Sequence, residues 1–396
     1  MISRLSSTDV FMSSQHFFST LWFVFGTSLV FMAAGYACTS LAAALISRRR
    51  RNAAAPAHDL QAVTVLKPLH GTDPRLYENL QSFCRQNHPQ WQLVFGVRDP
   101  QDPAIVVVRQ LQQAFPERTI DLVVDQRVYG ANLKVSNLLN MLPRARHDWL
   151  VLADADISVD PDYLARVTAP LASPEVGIVT CLYHGCPQPG FWSRLGSLFV
   201  DDWFAPSVRL SHTFGSTRFA FGSTIALRRD SLQRIGGFER LSDALADDFW
   251  LGELTRQQGL RTVLSDVVVG TEISETRPGE LWQHELRWLR TIRSIAPAGF
   301  VMSFVCFTWP VCLLGLWLAP TLWSGGLALL ALAARMARFI ADCPARRPAS
   351  DWRDLCLTPL RDALLLLEWA VALTSWQVSW RGQTLHARRD GPARQP

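Results

Sequence analysis

The amino-acid sequence predicts an α/β fold, with one domain built on a mostly parallel sheet and membrane helices on both its N-terminal and its C-terminal side. Residues 17–46 are almost uninterruptedly apolar. Between residue 62 and about residue 295, short β-branched or aromatic runs alternate with longer helical stretches, which is typical of a parallel α/β sheet. After Pro297 the chain becomes apolar again. The chain therefore divides into an N-terminal membrane segment, a central α/β domain and a C-terminal membrane region.

The composition limits the classes of function. The 396 residues are 48% hydrophobic, which is enough for one large core and for segments within a bilayer. The formal net charge of +5 is concentrated, because residues 48–51 are all arginine and directly follow an apolar run. Arginine blocks next to apolar runs are typical of segments that contact anionic lipid headgroups and set the topology of a membrane protein. We therefore expect no nucleic-acid partner. The eight cysteines are irregularly spaced and predict neither a disulfide framework nor a zinc site.

The N-terminal segment is predicted to be one membrane helix that follows a tail at residues 1–16. As a helix, residues 17–46 would extend about 45 Å, more than the roughly 30 Å of hydrocarbon in a bilayer. A signal peptide is the alternative, but the charges follow the apolar run and the run is long. The basic linker at residues 47–60 places the following domain in the cytoplasm by the positive-inside rule.

The central α/β domain is predicted to occupy residues 61–279. Strands are expected where β-branched and aromatic residues cluster, and helices where apolar residues recur at helical spacing. The strands are predicted at residues 63–66, 93–97, 120–124, 149–152, 177–181 and 219–227. The helices are predicted at residues 74–86, 104–115, 132–142 and 247–258.

The C-terminal region is predicted to return to the membrane. Residues 280–298 form an amphipathic interfacial helix, and residues 299–340 form a hairpin whose two spans are separated by the helix-breaking tripeptide at residues 319–321. The spans are predicted at residues 300–318 and 322–334. Arginines that follow the second span would return the chain to the cytoplasm: Arg335, Arg338, Arg346 and Arg347.

The last part of the chain, residues 341–396, is predicted to be cytoplasmic, interfacial or re-entrant. Its apolar stretch at residues 355–380 carries Arg361, Asp362 and Glu368 and is flanked by positive charge on both sides. An interfacial or re-entrant placement is therefore as well supported as a full span.

Two acids, Asp154 and Asp156, follow the predicted strand at residues 149–152. Ligands of open α/β sheets bind at the carboxyl ends of strands, and residues two apart in an extended chain point to the same side. Both carboxylates are therefore candidate ligands of one divalent cation, Mg²⁺ or Mn²⁺, which would neutralise the diphosphate of a nucleotide-sugar. Two acids in a loop are more often only solvated, so the pattern gains meaning from its context.

Three further polar residues lie near predicted strand and helix ends. Lys67 ends the first strand and Lys134 begins a helix, so both are candidates for binding phosphate oxygens. Asp99 follows the second strand and is a candidate acceptor for a base N–H. The ordinary alternatives are solvated lysines and, for an acid, a helix cap, for which Asp102 is the better candidate.

The adjacent acids Asp247 and Asp248 begin the predicted helix at residues 247–258. One of them can cap the helix while the other faces a cleft. A transferase that joins a sugar to an alcohol needs a base for the hydroxyl proton, and a carboxylate near the anomeric carbon supplies one. The alternative is an acidic helix start that is favoured only by the helix dipole.

On the predicted helix at residues 280–298, the residues His284, Arg287 and Trp288 share one face. An arginine there can hold a diphosphate with two hydrogen bonds, and a tryptophan can stack on a sugar or an acceptor. A basic amphipathic helix on a bilayer surface has the same composition without catalysis. The two roles are compatible.

In order and spacing, these motifs resemble the ceramide glucosyltransferases, and most closely the bacterial branch associated with hopanoid biosynthesis, which attaches an N-acetylhexosamine to a polyol hopanoid. The resemblance covers nearly the whole chain. It rests on VTVLKPLHG at residues 63–71, DPQDPA at 99–104, NLK at 132–134, DAD at 154–156, DD at 247–248 and HELRW at 284–288.

The resemblance implies a GT-A (Rossmann-like) catalytic domain, a UDP-sugar donor, a divalent cation and inversion at the anomeric carbon. It implies that Asp99 contacts the uridine and that Asp154 and Asp156 serve the metal and the diphosphate. Asp248 would be the catalytic base, and Lys67, Lys134 and Asp247 would help to bind the nucleotide-sugar. His284, Arg287 and Trp288 would occupy a Q/R-x-x-R-W motif, and His284 departs from it because the family has Gln or Arg there.

With the resemblance, the sequence predicts a hexosyltransferase in the inner membrane of a bacterium. Its catalytic domain would face the cytoplasm, and its acceptor would be a lipid hydroxyl, with a hopanoid as the first candidate. Ceramide and diacylglycerol are the alternative acceptors. A processive polysaccharide synthase shares the acidic and R-W motifs, but three or four spans make its channel hard to build. A non-catalytic membrane scaffold is disfavoured because the acidic positions are all present.

Overall fold

The computed structural model describes residues 7–51, 60–342, 352–380, 383–386 and 391. Part of the predicted tail, most of the predicted linker, and Arg346 and Arg347 lie outside the described residues. The centre of the described chain is an eight-stranded sheet in the order β3-β2-β1-β4-β7-β6-β8-β5. Its strands are β1 Val63–Pro68, β2 Trp91–Val97, β3 Thr119–Val124, β4 Trp149–Leu152, β5 Ile157–Ser158, β6 Val176–Pro187, β7 Ile225–Arg228 and β8 Arg261–Ile273.

One half of the sheet is parallel and the other half is mixed. The pairs β1–β2, β2–β3 and β1–β4 are parallel, as the sequence predicts. Strand β7 then pairs antiparallel with both β4 and β6, and β5 pairs antiparallel with β8. Strands β6 and β8 are parallel, so four of the seven strand pairs of this sheet are parallel, as the sequence predicts, and the predicted α/β class is confirmed.

Helices cover both faces of the sheet and bury its apolar side chains. One core includes Leu80, Val108 and Leu164 beneath the strands, and the other includes Leu138, Phe238 and Leu254 on the opposite face. The helices of the domain are α2 Leu76–Cys84, α3 Ala104–Ala114, α4 Leu133–Met141, α5 Tyr163–Thr168, α6 Phe191–Leu198, α7 Ala205–Thr213, α8 Arg229–Arg234 and α9 Asp247–Gln257. A π-helix at Phe199–Phe204 joins α6 to α7.

The strand predictions differ from the structure most clearly at β5, β7 and β8, and the two-residue β5 was not predicted. The strand expected at residues 219–227 begins only at Ile225, because Phe219 and Phe221 stack on each other in a loop, with ring centroids 5.5 Å apart. The apolar run before β7 therefore reflects aromatic packing. Strand β8 was not predicted, although Val267, Val268 and Val269 form a β-branched run within it.

The remaining helices form the apolar part of the molecule. They are α1 Ser7–Arg51, α10 Pro278–Ile295, α11 Pro297–Met302, α12 Thr308–Leu318, α13 Leu322–Asp342 and α14 Thr358–Thr374, and they are followed by a hairpin of β9 Gln377–Trp380 and β10 Gln383–His386. In the described residues, α1 and α13 are each long and apolar enough to cross a membrane. Helices α1 and α13 pack against each other, and α12 packs against α1.

The first arm of the predicted hairpin is broken. The segment Pro297–Cys306 meets α12 at an angle of 71°. Pro310 accounts for the break, since a proline removes a backbone donor and its ring clashes with the carbonyl four residues before it. The expected straight span at residues 300–318 is therefore a short helix, a 3₁₀ turn and α12, which form either a broken span or a re-entrant loop.

Buried ion pairs tie the apolar helices to the sheet domain. Arg335 pairs with Asp202 of the π-helix and with Asp362 of α14, and Arg338 also pairs with Asp202. These arginines are buried, so they do not act as the exposed positive-inside charges that the sequence analysis assumed. Their charge is neutralised inside the protein.

Candidate active site

Most of the predicted polar residues, but not Lys67 and Asp99, line one cavity of about 460 Å³ at the carboxyl ends of the central strands. This volume lies within the usual range of ligand pockets. Its polar and charged lining residues are His70, Asp73, Arg98, Lys134, Asn137, Asp154, Asp156, Asp247, Asp248, Thr271, Glu272, His284, Arg287 and Thr291. The structure thus brings together the end of β4, the starts of α4 and α9, the end of β8 and one side of α10.

The Asp154–Asp156 segment is a turn that is fixed from beneath. The backbone N–H of Ile157 donates to the carbonyl of Asp154 at 3.4 Å, so the two acids do not lie in extended chain. The carboxylate of Asp156 accepts from the Thr271 hydroxyl at 2.6 Å, whereas Asp154 turns toward Lys134. Both carboxylates nevertheless line the cavity.

Lys67 lies under this turn and does not line the cavity. Its Nζ donates to the backbone carbonyl of Asp154 at 2.7 Å and lies 3.7 Å from the centroid of the Phe83 ring. Burial lowers the pKa of Lys67 to about 7, against the opposing effect of Asp156 and Asp154. The geometry therefore favours a role in holding the acidic turn over the expected contact with a nucleotide-sugar.

Lys134 connects the two acidic segments. Its Nζ lies 2.7 Å from Oδ1 of Asp154 and 3.6 Å from Oδ2 of Asp247. The Asn132 side chain caps α4 by accepting from the backbone N–H of Lys134, which fixes the helix start. Burial opposes the charge of the ammonium group, but the neighbouring carboxylates hold the pKa of Lys134 above its ordinary value.

Asp248 faces the same point in the cavity from the start of α9. Its Oδ2 accepts from the backbone N–H of Gly222 at 2.8 Å, and its Oδ1 accepts from that of Phe249. A Cβ built on Gly222 would lie 2.9 Å from Oδ2 of Asp154, 3.0 Å from Nζ of Lys134 and 3.5 Å from Oδ2 of Asp248. The first two distances are too short for an ordinary Cβ contact, so only a glycine leaves the side chains of Asp154 and Lys134 where they are.

The pKa values of two acids are raised in this site. Burial and the nearby Asp154 raise the pKa of Asp156 to about 6, while the hydrogen bond from Thr271 opposes the shift. Burial and the nearby Asp247 raise the pKa of Asp248 to about 6, while Lys134 opposes the shift. Carboxyl groups with such values are suited to exchange protons near neutral pH.

Helix α10 forms the wall that faces the acids. His284, Arg287 and Trp288 all line the cavity, as their helical spacing suggests. The ring of Trp288 lies against that of His284, with centroids 4.4 Å apart, and against Phe199, at 5.4 Å. The opposite face of α10 buries Leu286 and Leu289 with residues of α11 and α14. One helix therefore joins the cavity to the apolar part of the molecule.

Asp99 is the second predicted site residue that does not line the cavity. It is exposed, and its carboxylate accepts from the backbone N–H of Gln101 at 2.8 Å in a local turn. The neighbouring Arg98 lines the cavity instead. Asp102 is buried and accepts from the backbone N–H groups of Gly71 and Ala104, which agrees with its expected capping role.

Several lining residues were missed in the sequence analysis. Thr271 and Glu272 lie on β8, and the valine run in that strand was the available signal. Arg98 follows directly on a predicted strand, where strand ends favour ligand contacts. Gly222 had no signal, because its role depends on three side chains that are distant in the sequence.

The acidic turn fits a divalent cation that is shared with a substrate. In the described residues, no group of three or more His, Cys, Asp or Glu side chains has the geometry of a metal site. Asp154 and Asp156 supply two carboxylates, and their mutual repulsion contributes to the raised pKa of Asp156. Mg²⁺ is commonly bound by one or two carboxylates together with substrate phosphates, so this pair fits that type of site.

Comparison with known proteins identifies related sequences. The family model described as glycosyl transferase family 21 matches residues 27–393. Ceramide glucosyltransferase 1 of Caenorhabditis elegans is 26% identical over 53% of this chain and 45% of its own length. Ceramide glucosyltransferase 3 of the same organism is 21% identical over 62% of this chain and 56% of its own length. The chain thus spans about half the length of these curated relatives.

Among solved structures, a mannosyltransferase from Pyrobaculum calidifontis in complex with GDP-mannose and Mn²⁺ is similar to this chain. The sequence identity is 22%, the TM-score is 0.48, and the match covers 86% of this chain and 99% of the other.

We expect Gly222→Ala to reduce kcat/KM for glycosyl transfer by about 100-fold, because the added methyl group would displace the carboxylate of Asp154 and the ammonium group of Lys134. The displaced atoms are the ends of flexible side chains, so the thermal midpoint of unfolding should change little. Gly279→Ala on α10 is the matched control, since its Cβ would meet no atom within 4 Å. Equal rates for the two variants would contradict the described convergence on Gly222.

Proposed function

Since the chain belongs to glycosyl transferase family 21, we propose that it transfers a hexose or N-acetylhexosamine, with inversion, from a UDP-sugar to a hydroxyl group of a membrane lipid. One observation carries this proposal. The Asp154–Asp156 turn and Asp248 line the same cavity as Arg287, which is on a helix that packs against the apolar helices. A soluble donor and a lipid acceptor can therefore meet at one point.

The donor side of the proposed site is the acidic turn. Asp154 and Asp156 would hold a Mg²⁺ or Mn²⁺ ion, which supplies charge neutralisation for the diphosphate when it is bound. Lys134 keeps Asp154 oriented and adds a positive charge beside it. Arg287, which carries a planar guanidinium group, is placed to bind phosphate oxygens through two hydrogen bonds. Lys134 of α4 and Arg287 of α10 would thus both place positive charge near the UDP leaving group.

The chemical step uses Asp248 as general base. The lipid hydroxyl attacks the anomeric carbon, its proton passes to the carboxylate of Asp248, and the bond between the anomeric carbon and the UDP oxygen breaks on the opposite face. The Gly222 and Phe249 backbone N–H groups fix the Asp248 carboxylate. Burial, which raises the pKa of Asp248 to about 6, strengthens this carboxylate as a base while leaving it mostly ionised at pH 7.

The acceptor reaches the site from the membrane side of α10. Trp288 lines the cavity and also joins the apolar cluster that contains Leu289, Phe300 and Phe307. A polyol hopanoid is our first candidate acceptor, on the resemblance described above. Ceramide is the second, because the related proteins are ceramide glucosyltransferases, and diacylglycerol is the third.

The candidate spans support a placement in the inner membrane of a bacterium, with the sheet domain in the cytoplasm. Arg48 and Arg49 are exposed near the end of α1, and they precede the sheet domain in the sequence. Gly26 of α1 packs against the C-terminal end of α12, and the helix from Gly26 to Arg48 would extend about 33 Å, close to the thickness of the hydrocarbon layer. The exposed residues Trp22, Trp317 and Trp323 lie at the Gly26 end of this span, and tryptophans are common at membrane interfaces.

We expect Asp248→Asn to reduce kcat by about 100- to 10,000-fold, because the amide cannot accept the hydroxyl proton. The variant keeps the size of the side chain, so the affinity for the UDP-sugar should stay within about threefold of the original value. UDP release in the presence of lipid extract and Mn²⁺ measures turnover, and calorimetry measures binding. Asp230→Asn on exposed α8 is the control. A near-normal rate for Asp248→Asn would overturn the assignment of the base.

The pH dependence of the rate should show the raised pKa of Asp248. A base acts when it is ionised, so kcat at saturating donor should fall about tenfold per pH unit below about pH 6. Donor affinity must be measured at the same pH values, because protonation of Asp156 would weaken donor binding instead. A fall in kcat that begins only near pH 4, the ordinary range of an aspartic acid, would contradict the assignment.

A further inference from the structure

The residues that line the cavity follow one another along one edge of the sheet. Strand β1 pairs with β2 on one side and with β4 on the other, and β4 pairs antiparallel with β7. Arg98 follows the end of β2, His70 follows the end of β1, and Asp154 follows the end of β4. Gly222 precedes the start of β7 and binds Asp248 through its backbone N–H. The order along this edge is therefore Arg98, His70, Asp154 and then Gly222 with Asp248.

The parts of a nucleotide-sugar follow a matching order. The diphosphate lies between the sugar and the nucleoside, so a diphosphate at Asp154 with its sugar toward Asp248 leaves the nucleoside on the side of β1 and β2. Neighbouring strands are about 4.8 Å apart, so the end of β2 lies about 10 Å from the end of β4. Arg98, which follows β2, would therefore meet the part of the nucleoside that is farthest from the phosphates. That part is the outer edge of the base.

Arg98 offers hydrogen-bond donors at this end of the cavity. Its side chain is half-buried and lines the cavity, and no residue in the described ranges forms an ion pair or a hydrogen bond with it. A guanidinium group is always charged in proteins, and it carries five N–H donors and no acceptor. A half-buried cation without a protein partner is stabilised by a ligand that accepts hydrogen bonds.

The polar neighbours of Arg98 have other partners. Asp99, which the resemblance places on the uridine, is exposed, and its carboxylate accepts from the backbone N–H of Gln101 at 2.8 Å. The Nδ1 atom of His70 lies 3.6 Å from the carboxylate of Asp102. Arg98 is therefore better placed than Asp99 to contact the base.

Apolar side chains line the same part of the cavity. They are Pro68 and Leu69 after the end of β1 and Leu133 at the start of α4. A flat base ring can pack on such side chains while a polar group at its edge selects it. Asn137 of α4 donates from its side-chain amide to the carbonyl of Gly96 at 2.8 Å. The end of β2 is therefore held in place.

We propose that Arg98 selects the base of the donor nucleotide by donating hydrogen bonds to the carbonyl oxygen O4 of uracil. This inference rests on the proposed function and adds a residue outside the motifs described above. O4 is the carbonyl oxygen of uracil that is farther from the ribose, and cytosine presents an amino group, a donor, at the same position. Because a guanidinium group cannot accept a hydrogen bond, Arg98 favours uracil over cytosine.

The test is calorimetry of UDP and CDP binding to the full-length chain in detergent with Mn²⁺. The original chain should bind UDP at least about tenfold more tightly than CDP. Arg98→Met, which removes the donors, should weaken UDP binding by about tenfold and CDP binding by less than about twofold, as expected for the loss of a charge-assisted hydrogen bond to O4. Arg109→Met on the exposed surface of α3 is the matched control and should leave both affinities unchanged.

Three results would overturn the proposal. They are equal affinities of the original chain for UDP and CDP, an Arg98→Met variant that keeps the original preference for UDP, and a loss that UDP and CDP share equally. The last result is expected if Arg98 contacts the phosphates or only supports the fold. Nucleotide binding requires no sugar transfer, so a chain that selects UDP through Arg98 but transfers no sugar would count against the proposed function alone.

Discussion

The site depends on one half-buried cation that lines the cavity, the ammonium group of Lys134. It pairs with Asp154 after β4 and approaches Asp247 at the start of α9, two segments that are far apart in the chain. The helix cap next to it also joins α4 to the start of α9. The side-chain amide of Asn132 donates to the carbonyl of Ala244 at 2.7 Å and to the carboxylate of Asp247 at 3.2 Å. Without these bonds, the acids on the two sides of the cavity would repel each other.

The same arrangement explains why the acidic motif has chemical meaning here. Asp154 and Asp156 are a common pair in a sequence, and a solvated loop would give them ordinary properties. In the structure, Lys67 holds the turn from below, Thr271 holds Asp156 and Lys134 holds Asp154. The result is a fixed pair of carboxylates with Asp248 near to it, which is the arrangement that a metal-assisted sugar transfer requires.

The sequence predicted the first four strands and the acidic residues because these depend on local patterns. Runs of β-branched residues define strands, and acids at strand ends point to ligand sites. It failed where contacts between distant residues decide the outcome. The direction of Lys67 depends on the turn above it, and the role of Gly222 depends on the side chains of Asp154 and Lys134.

The burial of Arg335 and Arg338 could not be predicted from the sequence for a similar reason. Arg335 and Arg338 are paired with acids from the π-helix and α14, so their charge is used within the protein. Removing one member of a buried pair typically costs about 3–5 kcal/mol, because the other charge stays buried. Together with the pairing of Arg361 and Glu285, these contacts fix α10 against the apolar helices. The position of α10, which forms one wall of the cavity, thus depends on the apolar helices.

The central claim is that a sugar is joined to a lipid hydroxyl at this cavity. Mass spectrometry of total lipids from a host with and without the gene tests it most directly. The account predicts a lipid that appears only with the gene and is heavier than a membrane lipid of the host by one hexose or one N-acetylhexosamine. Unchanged lipids in a host that makes the protein and contains hopanoids, ceramide and diacylglycerol would contradict the account.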